Sequence, residues 1–544
     1  MSDPSRPSPF KLVPAEDGDC VVWGKHSLYH PRRPRKAADR RAASVPVEAG
    51  TLYVIVSPLL GYGIPTLLSR LPASSVCVAV EVERELFDVP FRVDSSTLPV
   101  VRETDMVRTA ERVLEYAPDF VRRVRVVALS GTYSRHRERY DAIVEILRTE
   151  IATRWRNKAT RIHFGRKWVR HLFRNICLQT PSFWPGNDPS GPSDGQPLVV
   201  CGAGESLEYS LDWIAANRNH LYLMAVDTAL GTLVESGIAP DGVVALEAQL
   251  VNVGDFLPGL PPTANLYYDL TVHPSVPRIA APDRRRPILS NFWPLSLIGR
   301  AAEHAPVQGP VRQFGSVGNT AVHLATLIGN GPIILVGMDF SYVAGKPHAR
   351  GALSHRLSLS RSARLAGPLL FGHSAGRPKQ RMKHNAGQFR VTEGTMRRQA
   401  ELLPTALAGR TARSAPRSGP TIGVESVTLE ELSHFLKNGR GVSRPNARDE
   451  RTHTGRTTDG RALLRAEIER IHRFEREGVM DGIEYLFYDF PDYDSEQLVA
   501  RLTGASRGTS GSATMPGGRL LERIRIRAAS YRRYLERLLT LPAP

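Results

Sequence analysis

Short, unbroken apolar runs alternate with helical stretches along this chain, and that alternation limits the fold more than any other feature. Leu52–Val56 and Val76–Val80 are such runs in the first part, where Val124–Leu129 reads as another strand, and 197–201, 221–226, 242–246 and 332–336 follow later. A strand without polar alternation is buried on both faces, which calls for a parallel sheet covered by helices on both sides. The intervening stretches 64–71, 135–154, 207–217, 228–236 and 319–328 have helical spacing, and Gly237 is placed to stop one of them. The pattern predicts an α/β protein: two successive Rossmann-like parallel-sheet domains with a helical C-terminal region. In the last part Leu464, Ile468, Ile471 and Phe474, then Leu520, Ile524, Tyr531, Leu535 and Leu538, recur at helical spacing. Such stripes belong to a core or a helix pair, and no ligand is assigned to them.

The 544 residues allow about three domains. Composition shifts place the boundaries. Residues 1–45, dense in Arg and Pro, read as a basic irregular arm, and 46–185 as an N-terminal Rossmann-like domain. The Gly/Pro/Ser/Asp stretch 186–196 reads as a linker to a central domain, 196–440. Within it, Arg350 to Arg390 is basic and too long for an ordinary loop, so a partly mobile excursion is expected. Residues 441–460 read as a second linker, ahead of the helical region 460–544.

The net charge is +18 and the pI about 10.0. A surface of this sign suits acidic partners, sugar nucleotides among them. With no zinc-finger, RRM or basic-zipper signature, a nucleic-acid partner rests on charge alone, and a solvated Arg-rich surface accounts for that charge better. The four cysteines form no CxxC pair, which argues against a zinc site or a disulfide framework and fits a reducing cytoplasm. No apolar run approaches the ~18 residues of a membrane span, and the first residues lack a signal-peptide core.

The residues with chemical potential lie at the ends of the central runs. Cys201-Gly-Ala-Gly-Glu-Ser206 joins a strand to a helix. Gly202 and Gly204 permit close backbone approach to a ligand, and free amides at a helix start with the Ser206 hydroxyl suit a phosphate. The alternative is that the glycines pack the turn and Ser206 caps the helix; the motif alone does not separate the two. Asp227, Glu247 and Asp339 each follow an apolar strand, where ligands of open α/β sheets bind. Together they can hold ribose hydroxyls, a cation or a proton, although Asp227 alone reads equally as a helix cap. Gly315 and Ser316 open another helix and offer a second anion site, or merely a helix start. His348 follows Lys346 after the last strand and is a candidate proton carrier. In the first domain, Gly61, Gly63 and Glu81 repeat the nucleotide-binding layout, but with two glycines and a constraining Pro58 the turn reads as structural.

Taken in order, 199–207, 225–230, 237–247, 315–317 and 333–348 resemble the family of motility accessory factor (Maf) flagellin glycosyltransferases and MptE-like 6-hydroxymethylpterin diphosphokinases. The resemblance covers about 150 residues. It implies a sialyltransferase-like central domain flanked by an N-terminal Rossmann-like domain and a helical C-terminal region, the Maf layout. It further implies transfer of a nonulosonic acid from a CMP-activated donor to flagellin Ser or Thr, with flagellin or a flagellar chaperone as partner. Gly202, Gly204, Ser206, Gly315 and Ser316 would then cradle the CMP phosphate, with Asp227 and Glu247 toward ribose or base. His348 would be the base, and Asp339 second to it. The alternatives are a diphosphokinase using ATP and Mg²⁺, the metal held by acids such as Asp227 and Asp339, and a non-catalytic flagellar binding protein. Three departures stand out: Glu205 replaces the family's usual proline, Glu247 replaces an aspartate, and positions 57 and 59 lack glycines that the family often has.

Overall fold

The computed structural model describes residues 10–541 apart from 95–97, 119, 179–187, 189, 291–295, 305–307, 313, 344–345, 366–378, 384–388, 416–423, 439–459, 480–481 and 490–517. The chain divides into two compact units, Met1–Ile162 and His163–Pro544.

The first unit begins with order where an irregular arm is expected. β1 (Phe10–Ala15), β2 (Gly18–Trp23) and β3 (His26–Ser27) form an antiparallel sheet, and α1 (Pro34–Ser44) follows. The basic residues mask a regular pattern: Pro34, Ala38 and Ala42 make a buried stripe on α1, so its arginines face water. Cys20, Val21, Leu28 and Tyr29 fill a small core with Leu59, Leu60 and Tyr62. The elements β4 (Thr51–Val56), α2 (Ile64–Leu68), β5 (Val76–Glu81), β6 (Val100–Arg102), α3 (Met106–Glu115) and β7 (Arg123–Ala128) then build a four-stranded parallel sheet ordered β6-β5-β4-β7. The strand order reverses between β4 and β7. At the end of β4, Ser57 (φ 46°), Leu59 (φ 48°), Gly61 (φ 82°) and Gly63 (φ 80°) are all left-handed. The backbone thus keeps a glycine conformation at the two positions where this chain lacks glycine. α4 runs over Arg137–Asn175, one helix of 39 residues that continues well past the predicted Arg154.

In the second unit, β8 (Leu198–Cys201), α5 (Leu211–Asn217), β9 (Tyr222–Val226), α6 (Asp227–Glu235), β10 (Gly242–Ala245) and β11 (Asn265–Asp269) come first. They are followed by β12 (Arg285–Ser290), α7 (Ser296–His304), β13 (Gln308–Val311), α8 (Val317–Ile328) and β14 (Ile333–Val336). With β18 (Ala412–Ser414) and β19 (Glu425–Ser426) these strands form a nine-stranded sheet, ordered β13-β12-β11-β10-β9-β8-β14-β18-β19. Every pairing in it is parallel. The apolar runs are explained by their two faces. Val243 and Ala245 enter one core and Val244 the other, as do Leu266 and Tyr268 against Tyr267. The C-terminal helices α10 (Gly460–Glu477) and α11 (Gly518–Thr540) cover the first of these faces, with Leu464, Ile471, Phe474, Ile524 and Leu535 in the same core.

Two low-complexity stretches are more structured than their composition suggests. Asp188, in the expected linker, forms a buried ion pair with Arg286 of β12 (2.5 Å) and accepts from Ser190 (2.7 Å), so a charged residue anchors a segment without apolar content. The basic excursion contains α9 (Leu353–Ser360), and β15 (Tyr342–Val343), β16 (Lys379–Lys383) and β17 (Phe389–Glu393) make a small antiparallel sheet ordered β15-β17-β16. The second expected linker lies outside the described residues but for Gly460.

Candidate functional site

The large sheet reverses its order at β8: the chain moves outward through β9 to β13, then returns to the other side of β8 as β14. A topological switch point opens a crevice at the carboxyl ends of the strands flanking it. The loop after β8, Gly202 to Ser206, and the loop after β14, Gly337 to Asp339, meet there.

The two glycines are spent on that meeting. The Gly202 and Gly204 amides donate to the Val336 and Gly337 carbonyls (2.8 Å each). A Cβ on Gly202 would come within 2.9 Å of Met338 Sδ, and one on Gly204 within 2.6 Å of the Asp339 carboxylate. Asp339 is 2% exposed. It accepts from the Ser206 amide (3.0 Å), from the Ser206 hydroxyl and from Arg390 Nη2 (2.9 Å). Ser206 therefore bridges the two loops. Arg390 comes from β17, at the far end of the basic excursion, and is 3% exposed. The same Nη2 lies 3.2 Å from Glu205, whose other oxygen accepts from the Tyr209 hydroxyl. Glu205, the acid standing in the family's proline position, is thus buried with a cation facing it. Burying an ionised carboxylate is costly without such a partner.

Further along the edge a different environment begins. Asp227 opens α6, 2% exposed, and accepts from the Thr228 amide (2.8 Å) and hydroxyl (3.2 Å). Burial, with the negative charges of Asp255 and Glu247 nearby, pushes its pKa up to about 8. Asp255 is pushed up to about 6, chiefly by burial. Glu247 reaches solvent, yet the protein surrounding its carboxyl raises its pKa. Among the described residues no Lys, Arg or His pairs with Asp227, Glu247 or Asp255. Asp339 does not join this group: β9 and β14 are separated by β8, two strand spacings of ~4.8 Å.

The remaining candidates are distributed around the crevice. The Ala349 amide donates to the Ala203 carbonyl (2.9 Å), which ties the segment containing His348 to the glycine loop. His348 is half-buried and its Nδ1 lies 2.8 Å from the Ser354 hydroxyl. Lys346 pairs with Glu208 (2.6 Å), and the Arg350 carbonyl accepts from Thr232 of α6 (2.5 Å), so this segment spans the edge from the glycine loop to α6. Ser316 caps α8 by accepting from the Asn319 amide (3.3 Å), and Gly315 is left-handed (φ 67°) with open space where a Cβ would stand. Gly318, the second residue of α8, approaches Met338, so the start of α8 borders the same crevice.

Three contributors have no signature in the sequence. Arg390 sits in a stretch where every second or third residue is basic or small. Asp255 lies on a short 3₁₀ turn rather than at a strand end, and Tyr209 reads as an ordinary helix residue. The remaining expectation, Mg²⁺ shared by Asp227 and Asp339, does not fit the arrangement. The two acids follow different strands and Asp339 is already engaged; no group of three metal-ligating side chains occurs among the described residues.

Residues 186–345 match the family described as 6-hydroxymethylpterin diphosphokinase MptE-like. The chain carries an MptE-like domain. An uncharacterised protein of Treponema pallidum is 31% identical over 357 residues, 63% of this chain and 61% of that protein. A second from the same organism is 25% identical over 107 residues, 20% of this chain and 50% of that one. The chain thus spans about 61% of the length of the first relative and half of the second. Its fold matches the solved structure of a Maf glycosyltransferase from Magnetospirillum magneticum AMB-1. The TM-score is 0.53 at 16% identity, over 98% of this chain and 92% of that one. The fold match extends far beyond the MptE-like domain, into the N-terminal sheet and the C-terminal helices. No helix among the described residues is long and apolar enough to cross a membrane.

Proposed function

We propose that this chain is a cytoplasmic protein glycosyltransferase that moves a nonulosonic sugar from a CMP-activated donor to a flagellin Ser or Thr. The observation that carries this reading is the extent of the fold likeness: it takes in nearly the whole chain, where the diphosphokinase resemblance takes in the MptE-like segment alone. In this reading the donor phosphate lies against the start of α8, the positively polarised end of its backbone dipoles, beside the loop Gly202 to Ser206, whose Gly204 and Ser206 amides are taken by the Gly337 carbonyl and Asp339. Asp227 and Glu247 line the ribose side. A buried carboxylic acid with a pKa near 8 is protonated at neutral pH and donates a hydrogen bond, so it tolerates an anionic ligand. The CMP leaving group departs through an oxocarbenium-like state, and His348 takes the proton of the acceptor hydroxyl. Asp339 accepts three hydrogen bonds, two of them from Ser206 and one from Arg390. These occupy the oxygens that a base would use, so the reading gives it a positioning role, with His348 first for proton transfer.

Calorimetry of the full chain with CMP and with ATP, each with and without Mg²⁺, tests this assignment. CMP binding that needs no metal and weakens at least tenfold in Ser206→Ala supports it. The His348→Ala variant should keep CMP affinity while transfer falls by about 10²–10⁴. Binding of ATP that depends on Mg²⁺ would overturn it in favour of the diphosphokinase, the reading that the family match over 186–345 favours.

A further inference from the structure

One strand beyond Glu247, at the carboxyl end of β11, the molecule collects positive charge without acidic partners. His171 and Arg174 lie on the last turns of α4, and His273 and Arg278 on the loop that follows β11. The two imidazoles meet edge to face, with centroids 5.4 Å apart. Their protonation pattern follows from their partners. His171 Nδ1 faces the Thr271 carbonyl (3.1 Å) and must carry a proton, leaving Nε2 bare. His273 Nδ1 accepts from the Ser275 amide (3.3 Å), so its proton is on Nε2. The His273 amide donates to the Glu247 carbonyl (3.4 Å), which joins this loop to the candidate crevice. Arg174 and Arg278 are exposed, and neither they nor the nearby Lys167 form an ion pair with a carboxylate among the described residues.

The electrostatics agree with the placement. Burial, then the positive charges of His273, Arg174 and Lys167, push the His171 pKa down to about 4, against a raising contribution from the Thr271 carbonyl. His273 is lowered by burial and by Arg174, and Arg278 by burial and by Arg174 and Arg285. Tyr268 and Tyr534, both raised by burial, also face the cluster, with Cys177, Arg170 and Arg285 nearby. Arg174 and Arg278 repel each other in the free protein, and a bound anion removes that cost.

We infer that His171, Arg174, His273 and Arg278 form an anion subsite that takes one phosphate or carboxylate group of a small acidic molecule. Arginine forks suit either group, and the imidazoles supply a donor at once and a second upon protonation. The subsite stands independently of the glycosyltransferase reading, because it rests on the β11 edge and not on the switch-point loops.

The test is a histidine NMR titration of the full chain in inorganic phosphate and, separately, in acetate, at constant ionic strength. A saturable upward shift of about one unit or more in the His171 and His273 pKa values is expected with at least one probe, because a bound negative charge favours imidazolium. Which probe acts tells phosphate from carboxylate. The Arg174→Gln/Arg278→Gln variant should lose the saturable shift at unchanged thermal stability. Failure of both probes to shift either histidine, or an equal shift in the double variant, overturns the subsite. So does a response confined to an oligonucleotide, which would make this an extended polyanion surface. Both histidines lie outside the proposed CMP contacts, so a negative result here leaves CMP binding as a separate measurement.

Discussion

The two parallel sheets of this chain are built to one plan, and their switch points have different fates. In the first unit the acid at the end of the second strand, Glu81, is buried and engaged by its own surroundings. It accepts from the Ser57 hydroxyl (2.7 Å), the Tyr140 hydroxyl (3.2 Å) and the Val82 and Glu83 amides (3.0 Å each). Its glycine turn is closed as well: a Cβ on Gly61 would meet Val93 at 2.5 Å, and one on Gly63 the Ala38 carbonyl at 2.7 Å. In the second unit the switch point itself is also tied, through Ser206, Asp339 and Arg390, but beside it Asp227, Glu247 and Asp255 remain without a described cationic partner. Glycine spacing does not distinguish the two sites, since in both the glycines serve close packing. The difference is in which polar groups the protein leaves without a cationic partner, and such groups are where a ligand is to be sought.

The largest test of this contrast removes the cation that ties the second switch point. Arg390→Met leaves Glu205 and Asp339 as buried carboxylates facing each other's field. Breaking a buried pair from one side costs about 3–5 kcal/mol, and the charges here have side chains only 8% and 2% exposed. Denaturant unfolding should show a loss of that order in the second unit. A loss below ~1 kcal/mol would mean that the acids are protonated or hydrated, and that the two switch points are not held by comparable networks.

The next test addresses the uncompensated acids. Asp227 has a pKa of about 8 in the folded chain, against ~3.9 when unfolded. The native protein therefore keeps a proton that the unfolded chain releases, and its stability is full below pH ~4 and declines as pH rises to about 8. Asp227→Asn has no such proton. At pH 8 it should be more stable than the parent by on the order of 3–5 kcal/mol, and the two should converge near pH 4. Asp255 and Glu247 are raised in the same direction, so the decline shrinks rather than vanishes. Parallel pH profiles for the two proteins would show that Asp227 is ionised in the native state, and the second unit would lose its distinction.

How much of this was legible beforehand follows the same division. The strands were readable because a run buried on both faces leaves an unbroken apolar trace, and the strand-end acids because they follow those runs directly. Arg390 was not, because its function depends on the chain returning after a long excursion to face Glu205 and Asp339, a contact 51 residues from the latter. Nor was the ordered entry of residues 10–44, where arginines on the wet side of α1 outnumber the alanines that mark its buried stripe. Glu205 was visible as an acid out of place, while its compensation lay in a part of the sequence with no motif.

The smallest effect belongs to the first switch point. Ser57 holds a left-handed backbone (φ 46°) and donates to Glu81. Glycine at this position relieves a strain of about 1–2 kcal/mol and forfeits a hydrogen bond to a buried carboxyl of about 1.5–3 kcal/mol. The terms oppose each other, so Ser57→Gly should move stability by no more than ~2 kcal/mol. Burial raises the Glu81 pKa and the Ser57 hydroxyl lowers it, so the variant should raise it further. Its unfolding free energy should therefore fall more steeply than the parent's as pH rises above the ordinary carboxylate range. A clear gain in stability with an unchanged pH profile would mean that the hydroxyl contributes nothing to holding Glu81. The first switch point would then be kept closed by Tyr140 and the backbone amides alone, and its left-handed serine would be strain without a return.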